Sequence, residues 1–222
     1  MPDLNNRRPL NSRNTRWADR ITLWLAARDI TPNQISQASM VCALFGGLCF
    51  WGAGLVEEAF LTVSLLALAA LGCQFRLLCN LFDGMVAVEA GKSAPDGPFW
   101  NEFPDRVSDL LIFVGVGLGV GMPALGWATA ALALLTAYTR EIGANVGLPP
   151  DFSGPMAKQH RMALLSGAAG FAIVETLWLG TQNSLVIALW IALLGSGATV
   201  YRRASRIRAG LLAKALEDIA QH

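Results

Sequence analysis

The sequence predicts an all-α integral membrane protein with six transmembrane helices and an N-terminal interfacial amphipathic helix. Of its 222 residues, 54% are hydrophobic and only 15% are charged, whereas soluble domains carry about 25% charged residues. Six apolar runs each approach the ~20 residues that a helix needs to cross a bilayer. Nearly all lysines and arginines lie on one side of those runs, which is typical of membrane proteins.

Residues 1–30 are predicted to form a cytoplasmic tail followed by the interfacial helix. Residues 1–12 are polar, show no periodicity and are expected to be disordered, and no cleavable signal peptide is expected because an apolar segment is missing. Over residues 13–29, apolar side chains such as Trp17 and Trp24 fall near one helical face and arginines near another. This pattern favours a helix lying in the membrane interface, and packing on a protein partner is the alternative.

The first span begins at a recognisable helix start. Thr31 suits the N-cap position, and Pro32 suits the first turn. We expect a membrane domain over residues 31–205 and a cytoplasmic tail over residues 206–222. The apolar runs cover residues 37–56, 59–79, 107–121, 125–146, 162–180 and 184–201.

The distribution of lysine and arginine predicts how the protein is oriented in the membrane. Of the 17 lysines and arginines, all but Arg76 lie in or beside the segments on the side of the termini, and Arg76 lies near that same side. The opposite segments carry Glu57 and Glu58 and no basic residue. Both termini and residues 80–106 are therefore predicted to be cytoplasmic, in a bacterial inner membrane. The basic residues after Tyr201 are expected to contact anionic lipids, and the net charge of +1 gives no indication of nucleic-acid binding.

Polar side chains end the second apolar run and begin the third. Asn80 and Asp83 are three residues apart and share one helix face, whereas Asn101, Asp105 and Asp109 follow at spacings of four on the next helix. A short connection allows the two stripes to face each other. Carboxylate and amide oxygens suit Mg²⁺ or Mn²⁺, which also bind phosphates. Helix caps and interfacial carboxylates are the structural alternative.

The spacing resembles the motif of the CDP-alcohol phosphatidyltransferases, D-x2-D-G-x2-A-R-x8-G-x3-D-x3-D. Asparagine replaces aspartate at Asn80 and Asn101, and Val88 replaces the arginine, while every spacing is kept. The segment 154–161 also resembles a basic motif of the family, so that the similarity extends over residues 30–205. The matching positions are Asn80, Asp83, Gly84, Ala87, Val88, Gly97, Asn101 and Asp105.

The resemblance implies a function and a set of site residues. It implies transfer of a phosphatidyl group from CDP-diacylglycerol to a polar alcohol with release of CMP, by a homodimer with two divalent ions. Asp105 would be the catalytic base that takes the proton of the acceptor hydroxyl. The implied metal ligands are Asn80, Asp83, Asn101 and Asp105, and the implied CDP-binding residues are Asp83, Gly84, Ala87 and Gly97.

The two asparagines change the charge of the motif. Each keeps a carbonyl oxygen but carries no charge, so two formal negative charges stand where the usual motif has four. Glu102, Asp109 and Glu89 are candidates to supply the missing charge, and both one ion and two remain open. Because both substitutions retain an oxygen ligand, we favour a functional variant of the motif.

Basic residues near the cytoplasmic ends are candidates for phosphate binding. Lys158 and Arg161 lie three residues apart, and the resemblance assigns them and Arg140 to the phosphate of the acceptor or of the lipid. This pair favours a phosphorylated acceptor, although topology-determining positive charges are the alternative. Arg76, one turn before Asn80, is predicted either to balance the carboxylates or to anchor the helix at the interface.

Two other classes of function compete with the transferase. A non-catalytic membrane protein of the same fold would bind a nucleotide-lipid or a protein partner. A small transporter fits less well, because the polar residues cluster at one membrane face and transporter sites lie near the midplane.

Overall fold

The structure, a computed structural model, describes residues 15–89, 91–92 and 94–220. The tail predicted over residues 1–12 lies outside the described residues. This part of the chain contains helices and no strand, which confirms the all-α prediction. The helices are α1 Arg16–Ala27, α2 Pro32–Ala53, α3 Ala59–Val88, α4 Gly97–Gly119, α5 Pro123–Asn145, α6 Lys158–Leu179 and α7 Asn183–Ala220.

Four helices, α2, α3, α6 and α7, are long and apolar enough to cross a membrane. The other two long helices, α4 and α5, have 23 residues each, but α4 carries several charged residues and α5 contains proline, glycine and threonine. The count of six spans therefore stays a prediction. Large apolar side chains such as Phe60 (77% exposed) and Trp178 (83% exposed) cover the outer surface, which is typical of a surface that faces lipid.

Local sequence sets where the helices begin, and two helices continue beyond their apolar runs. Thr31 and Gln34 form a capping box at the start of α2: the Thr31 side chain accepts from the Gln34 N–H at 3.2 Å, and the Gln34 side chain accepts from the Thr31 N–H at 3.0 Å. Helix α3 continues past its apolar run, so Asn80 and Asp83 stand on its last turns. Helix α7 continues through the predicted tail.

The six long helices pack in a closed ring in the order α2, α3, α6, α7, α5 and α4. Helix α2 lies along both α3 and α4, and those two helices touch each other little. Glycines allow this close packing: a Cβ on Gly72 would lie 2.9 Å from the Gly46 Cα, and one on Gly47 would lie 2.5 Å from the Leu111 oxygen. Small residues at such contacts let helix backbones approach closely in membranes.

Helix α1 lies beside the end of α3 that carries the polar residues. Its small residues Ala18 and Thr22 are buried, and Trp17 meets Phe82 of α3 edge to face at 6.0 Å. Trp24 is half exposed and carries the Arg28 guanidinium 3.9 Å above its ring. The helix thus packs on the bundle with its small residues and leaves large apolar side chains on its outer face.

Candidate active site

Asp83 is held where α3 meets the start of α2. It is 6% exposed, and its carboxylate accepts from the Ser36 hydroxyl at 2.8 Å and from the Gly84 N–H at 2.6 Å. Both donors are neutral. Asn80, one turn earlier, donates its amide N–H to the Arg76 carbonyl at 3.2 Å, so its side-chain oxygen remains an acceptor.

Asp105 and Asp109 of α4 belong to a set of alternating charges that links three helices. Asp105 accepts from Arg76 at 3.2 Å on one oxygen and from the Lys158 ammonium on the other. Asp109 accepts from Arg76 at 3.4 Å and from Arg161 at 2.6 Å. We call Lys158, Asp105, Arg76, Asp109 and Arg161 the buried charge chain.

Because the side chains of the buried charge chain are shielded from water, their charges depend on one another for compensation. The side chains of Arg76, Asp109 and Arg161 are at most 1% exposed, whereas that of Lys158 is 28% exposed. Arg161 also donates to the Met156 carbonyl at 3.0 Å. Removing a charge from water costs several kcal/mol, roughly, unless partners and hydrogen bonds compensate. Lys158 is therefore the member of the buried charge chain that solvent or a substrate can reach.

The structure brings the two motif aspartates together across α2, α3 and α4. Asp105 and Lys158 lie close enough to Asp83 for their charges to act on it. Asn101 stands one turn before Asp105 and is exposed, and Gly97 begins α4 with open space around it. Gly84 and Ala87 are half-buried on the last turns of α3.

Glu102 and Arg140 form a second, more exposed group that we call the surface charge cluster, together with Arg106 and Glu141. Glu102 accepts from Arg106 and from Arg140 at 2.5 Å each, and Arg140 also pairs with Glu141 at 2.7 Å. The Glu102 side chain is 39% exposed. No ion pair joins this cluster to the buried charge chain among the contacts of the described residues.

Arg203 of α7 was expected, with the other basic residues after Tyr201, to contact anionic lipids, and this expectation is wrong because its side chain is buried in the protein. It is 6% exposed and donates to the Ser153 carbonyl at 3.1 Å and to the Thr136 carbonyl. One turn later, Arg206 pairs with Asp151 at 3.0 Å. Burial disfavours the Asp151 carboxylate, but donors from Ser153 and Arg206 outweigh this and lower its pKa. These contacts fix the loop that leads into Lys158.

The oxygen ligands near Asp83 are of a type that suits a divalent ion, whereas Asp105 is already bound by basic side chains. The Asp83 carboxylate accepts from the neutral donors of Ser36 and Gly84, and carboxylate and amide oxygens, such as those of Asn80 and Asn101, are of the type that Mg²⁺ and Mn²⁺ accept. Both oxygens of Asp105, in contrast, are bound by Arg76 and Lys158. Within the described ranges, no three His, Cys, Asp or Glu residues are grouped to hold a metal ion.

Two named proteins are related to the chain in sequence. A phosphatidylinositol phosphate synthase of Streptomyces avermitilis is 28% identical over 193 residues, which cover 83% of this chain and 75% of the relative. The inner membrane protein YnbA of Escherichia coli K12 is 25% identical over 177 residues, 77% of this chain and 84% of that protein. No protein-family model matches the chain.

Solved structures show the fold. The Mycobacterium tuberculosis phosphatidylinositol phosphate synthase PgsA1 with CDP-DAG bound superposes with a TM-score of 0.71 at 19% identity, covering 87% of this chain and 94% of that one. The same enzyme with manganese and citrate also gives 0.71, at 18% identity, covering 86% and 88%. These comparisons support the resemblance to the CDP-alcohol phosphatidyltransferases: the chain is related in sequence to one phosphatidylinositol phosphate synthase and shares the fold of another.

Proposed function

We propose that this protein is a multi-pass membrane CDP-alcohol phosphatidyltransferase, which moves a phosphatidyl group from CDP-diacylglycerol to a polar alcohol and releases CMP. One observation carries the proposal: Asp83 and Asp105, kept at the spacing of the family motif, converge beside Lys158 at one end of the helix ring. A structural role alone would not require a partly exposed lysine at the junction of two buried carboxylates. The names of the sequence relative and of the solved structures support the same activity.

The reaction is a displacement at phosphorus. The hydroxyl oxygen of the acceptor attacks the phosphatidyl phosphorus, the bond from that phosphorus to the oxygen of CMP breaks, and CMP leaves. Asp105 takes the hydroxyl proton once Lys158 moves from its carboxylate to a phosphate oxygen. Arg76 keeps its contact with the other oxygen of Asp105 and so holds the carboxylate in place.

A divalent cation, Mg²⁺ or Mn²⁺, is proposed to assist at Asp83, with Asn80 and Asn101 as neutral oxygen ligands. Bound there, the cation would neutralise the pyrophosphate of the substrate. The half-buried Gly84 and Ala87 leave room for the nucleotide close to the backbone of α3. The open space around Gly97 gives the same room at the start of α4.

A phosphorylated polyol is the proposed class of acceptor, in line with the name of the Streptomyces relative. Of the two residues assigned to phosphate, Lys158 reaches solvent, whereas Arg161 is 1% exposed and bound to Asp109. We therefore assign phosphate contact to Lys158 and a positioning role to Arg161. Arg140 is engaged by Glu102 and Glu141, so contact with phosphate would require it to leave those partners.

The placement in the membrane follows from the charges. Six spans formed by α2 to α7, both termini in the cytoplasm and a homodimer are proposed, with α1 lying in the interface on its exposed Trp17 and Trp24. The membrane domain of residues 31–205 then places the active site on the cytoplasmic side.

Cysteine labelling tests this orientation. A cysteine introduced at Pro95 of a cysteine-free variant should react with an impermeant maleimide only after the cells are opened. Glu57→Cys is the matched control, which should react in intact cells.

Release of CMP tests the activity. Purified protein in lipid nanodiscs should release CMP from CDP-diacylglycerol with one acceptor among inositol phosphate, glycerol 3-phosphate, inositol and serine. Asp83→Asn should lower the rate by about 10²-fold or more, because the motif carboxylate with neutral partners is lost. Asp29→Asn, at a surface aspartate paired with Lys92, is the matched control and should keep the rate. Binding of CDP without turnover of any acceptor would favour the non-catalytic alternative.

A further inference from the structure

The motif of this chain carries half of the usual negative charge. Asn80 and Asn101 replace two aspartates, so that Asp83 and Asp105 are its remaining carboxylates. The resemblance pairs four carboxylates with two divalent ions, which is one ion for every two carboxylates. At the same ratio, two carboxylates balance a single ion.

The protein supplies its own cations at Asp105, which the resemblance implies as a metal ligand. The Lys158 ammonium binds one oxygen of Asp105, and the Arg76 guanidinium binds the other at 3.2 Å. Lys158 is also close enough to Asp83 for the two charges to interact. An ammonium bound to Asp105 and close enough to act on Asp83 competes with an ion that would bridge the two carboxylates, and it repels a second cation.

We infer that the site binds one divalent ion, at Asp83, and that the Lys158 ammonium, backed by Arg76, stands in for the second. This inference rests on the proposed function and narrows the metal requirement of the same site. Lys158 then has two roles, since it pairs with Asp105 in the resting protein and binds substrate phosphate during transfer. The ammonium is carried by a flexible side chain, so it can make that change without leaving the site.

Counting bound Mn²⁺ tests the inference without relying on turnover. The full chain in nanodiscs is titrated with Mn²⁺ in the presence of CDP, and free Mn²⁺ is measured by electron paramagnetic resonance. We expect one Mn²⁺ per chain and no spin coupling between bound ions, which two ions about 3.5–4 Å apart would show. Two coupled ions per chain, with CMP released in the activity assay, would overturn the inference and leave the proposed function intact. Failure of both Mn²⁺ binding and CMP release would overturn both.

Variants show whether the lysine excludes the second ion. A triple variant that combines Asn80→Asp, Asn101→Asp and Lys158→Met should bind two Mn²⁺ ions per chain. Four carboxylates are then present in the motif, and the ammonium of Lys158 is gone. The matched control combines the same two aspartates with Lys92→Met, which removes a lysine from the Asp29 pair outside the site, and should still bind one. A control that binds two ions, or a Lys158 variant that binds one, would show that Lys158 does not take the place of an ion. If the Lys158 variant fails to fold, the number of Mn²⁺ ions bound by the wild-type chain tests the inference.

Discussion

Two groups of charges on α4 differ in burial although their chemistry is the same. Asp105 of the buried charge chain and Glu102 of the surface charge cluster are three residues apart, and each carboxylate contacts two basic side chains. The Asp105 side chain is 5% exposed, whereas that of Glu102 is 39% exposed. Water therefore compensates for the loss of a partner at Glu102, and only protein groups can do so at Asp105.

The comparison shows which charges the fold depends on. Breaking a buried pair leaves an uncompensated charge and costs about 3–5 kcal/mol, whereas exposed pairs contribute about 0–1 kcal/mol. Arg76 is shared by Asp105 and Asp109, so its loss affects two carboxylates at once. Replacing Arg76, Lys158 and Glu102 in turn should therefore have effects that decrease with the burial of the side chain.

Arg76→Met should have the largest effect on stability. The side chain is fully buried, and its removal takes one of two basic partners from both Asp105 and Asp109, so we expect the free energy of unfolding to fall by about 3–5 kcal/mol. Thermal unfolding in detergent measures the change, with Arg106→Met at the surface charge cluster as the matched control. Equal melting temperatures for the two single variants would contradict the role of burial.

Lys158→Met should have an intermediate effect. Its side chain is 28% exposed, and Asp105 keeps Arg76 as a partner, so we expect a loss of about 1.5–3 kcal/mol, the range for one hydrogen bond to a charged group. The rate of CMP release should fall much further than stability does, by about 10²-fold. Lys158→Arg should restore more of the stability than of the rate. A parallel loss of both would indicate that Lys158 acts only through folding.

Glu102→Gln should have the smallest effect. Its side chain is 39% exposed, and its partners Arg106 and Arg140 are 20% and 14% exposed and keep access to water, so the free energy of unfolding should change by less than about 1 kcal/mol. The difference should shrink further at 1 M salt, where the screening length is about 3 Å. A loss as large as that of Arg76→Met, or one independent of salt, would place Glu102 among the buried charges.

Spacing along the chain was sufficient to predict the helices and to propose a site on them. The apolar runs predicted the helices, and the capping box confirmed Thr31 as the start of α2. The transferase function, predicted from the motif around Asp83 and Asp105, is supported by the comparisons. These features are local, because a helix face or a cap is set by residues a few positions apart.

Partners across helices were not predictable in the same way. Lys158 and Asp105 are 53 residues apart, and Arg161 and Asp109 are 52 apart, so no periodicity links them. Asp109 and Glu102 had the same standing as candidate carboxylates, yet one binds two buried arginines and the other lies in the surface charge cluster. Which of two carboxylates on the same helix is desolvated depends on the neighbouring helices.

The sequence by itself determined the helices, their apolar faces, the side of the bundle that carries the basic residues and the motif with its two asparagines. Only the tertiary structure decided that Arg76 stands between Asp105 and Asp109, that Lys158 covers the second oxygen of Asp105, and that Asp83 keeps neutral partners. The physical reason is that hydrophobic periodicity and helix caps act over one or two turns. Charge compensation, in contrast, depends on the distances and the solvent exposure that the packing of α3, α4 and α6 creates.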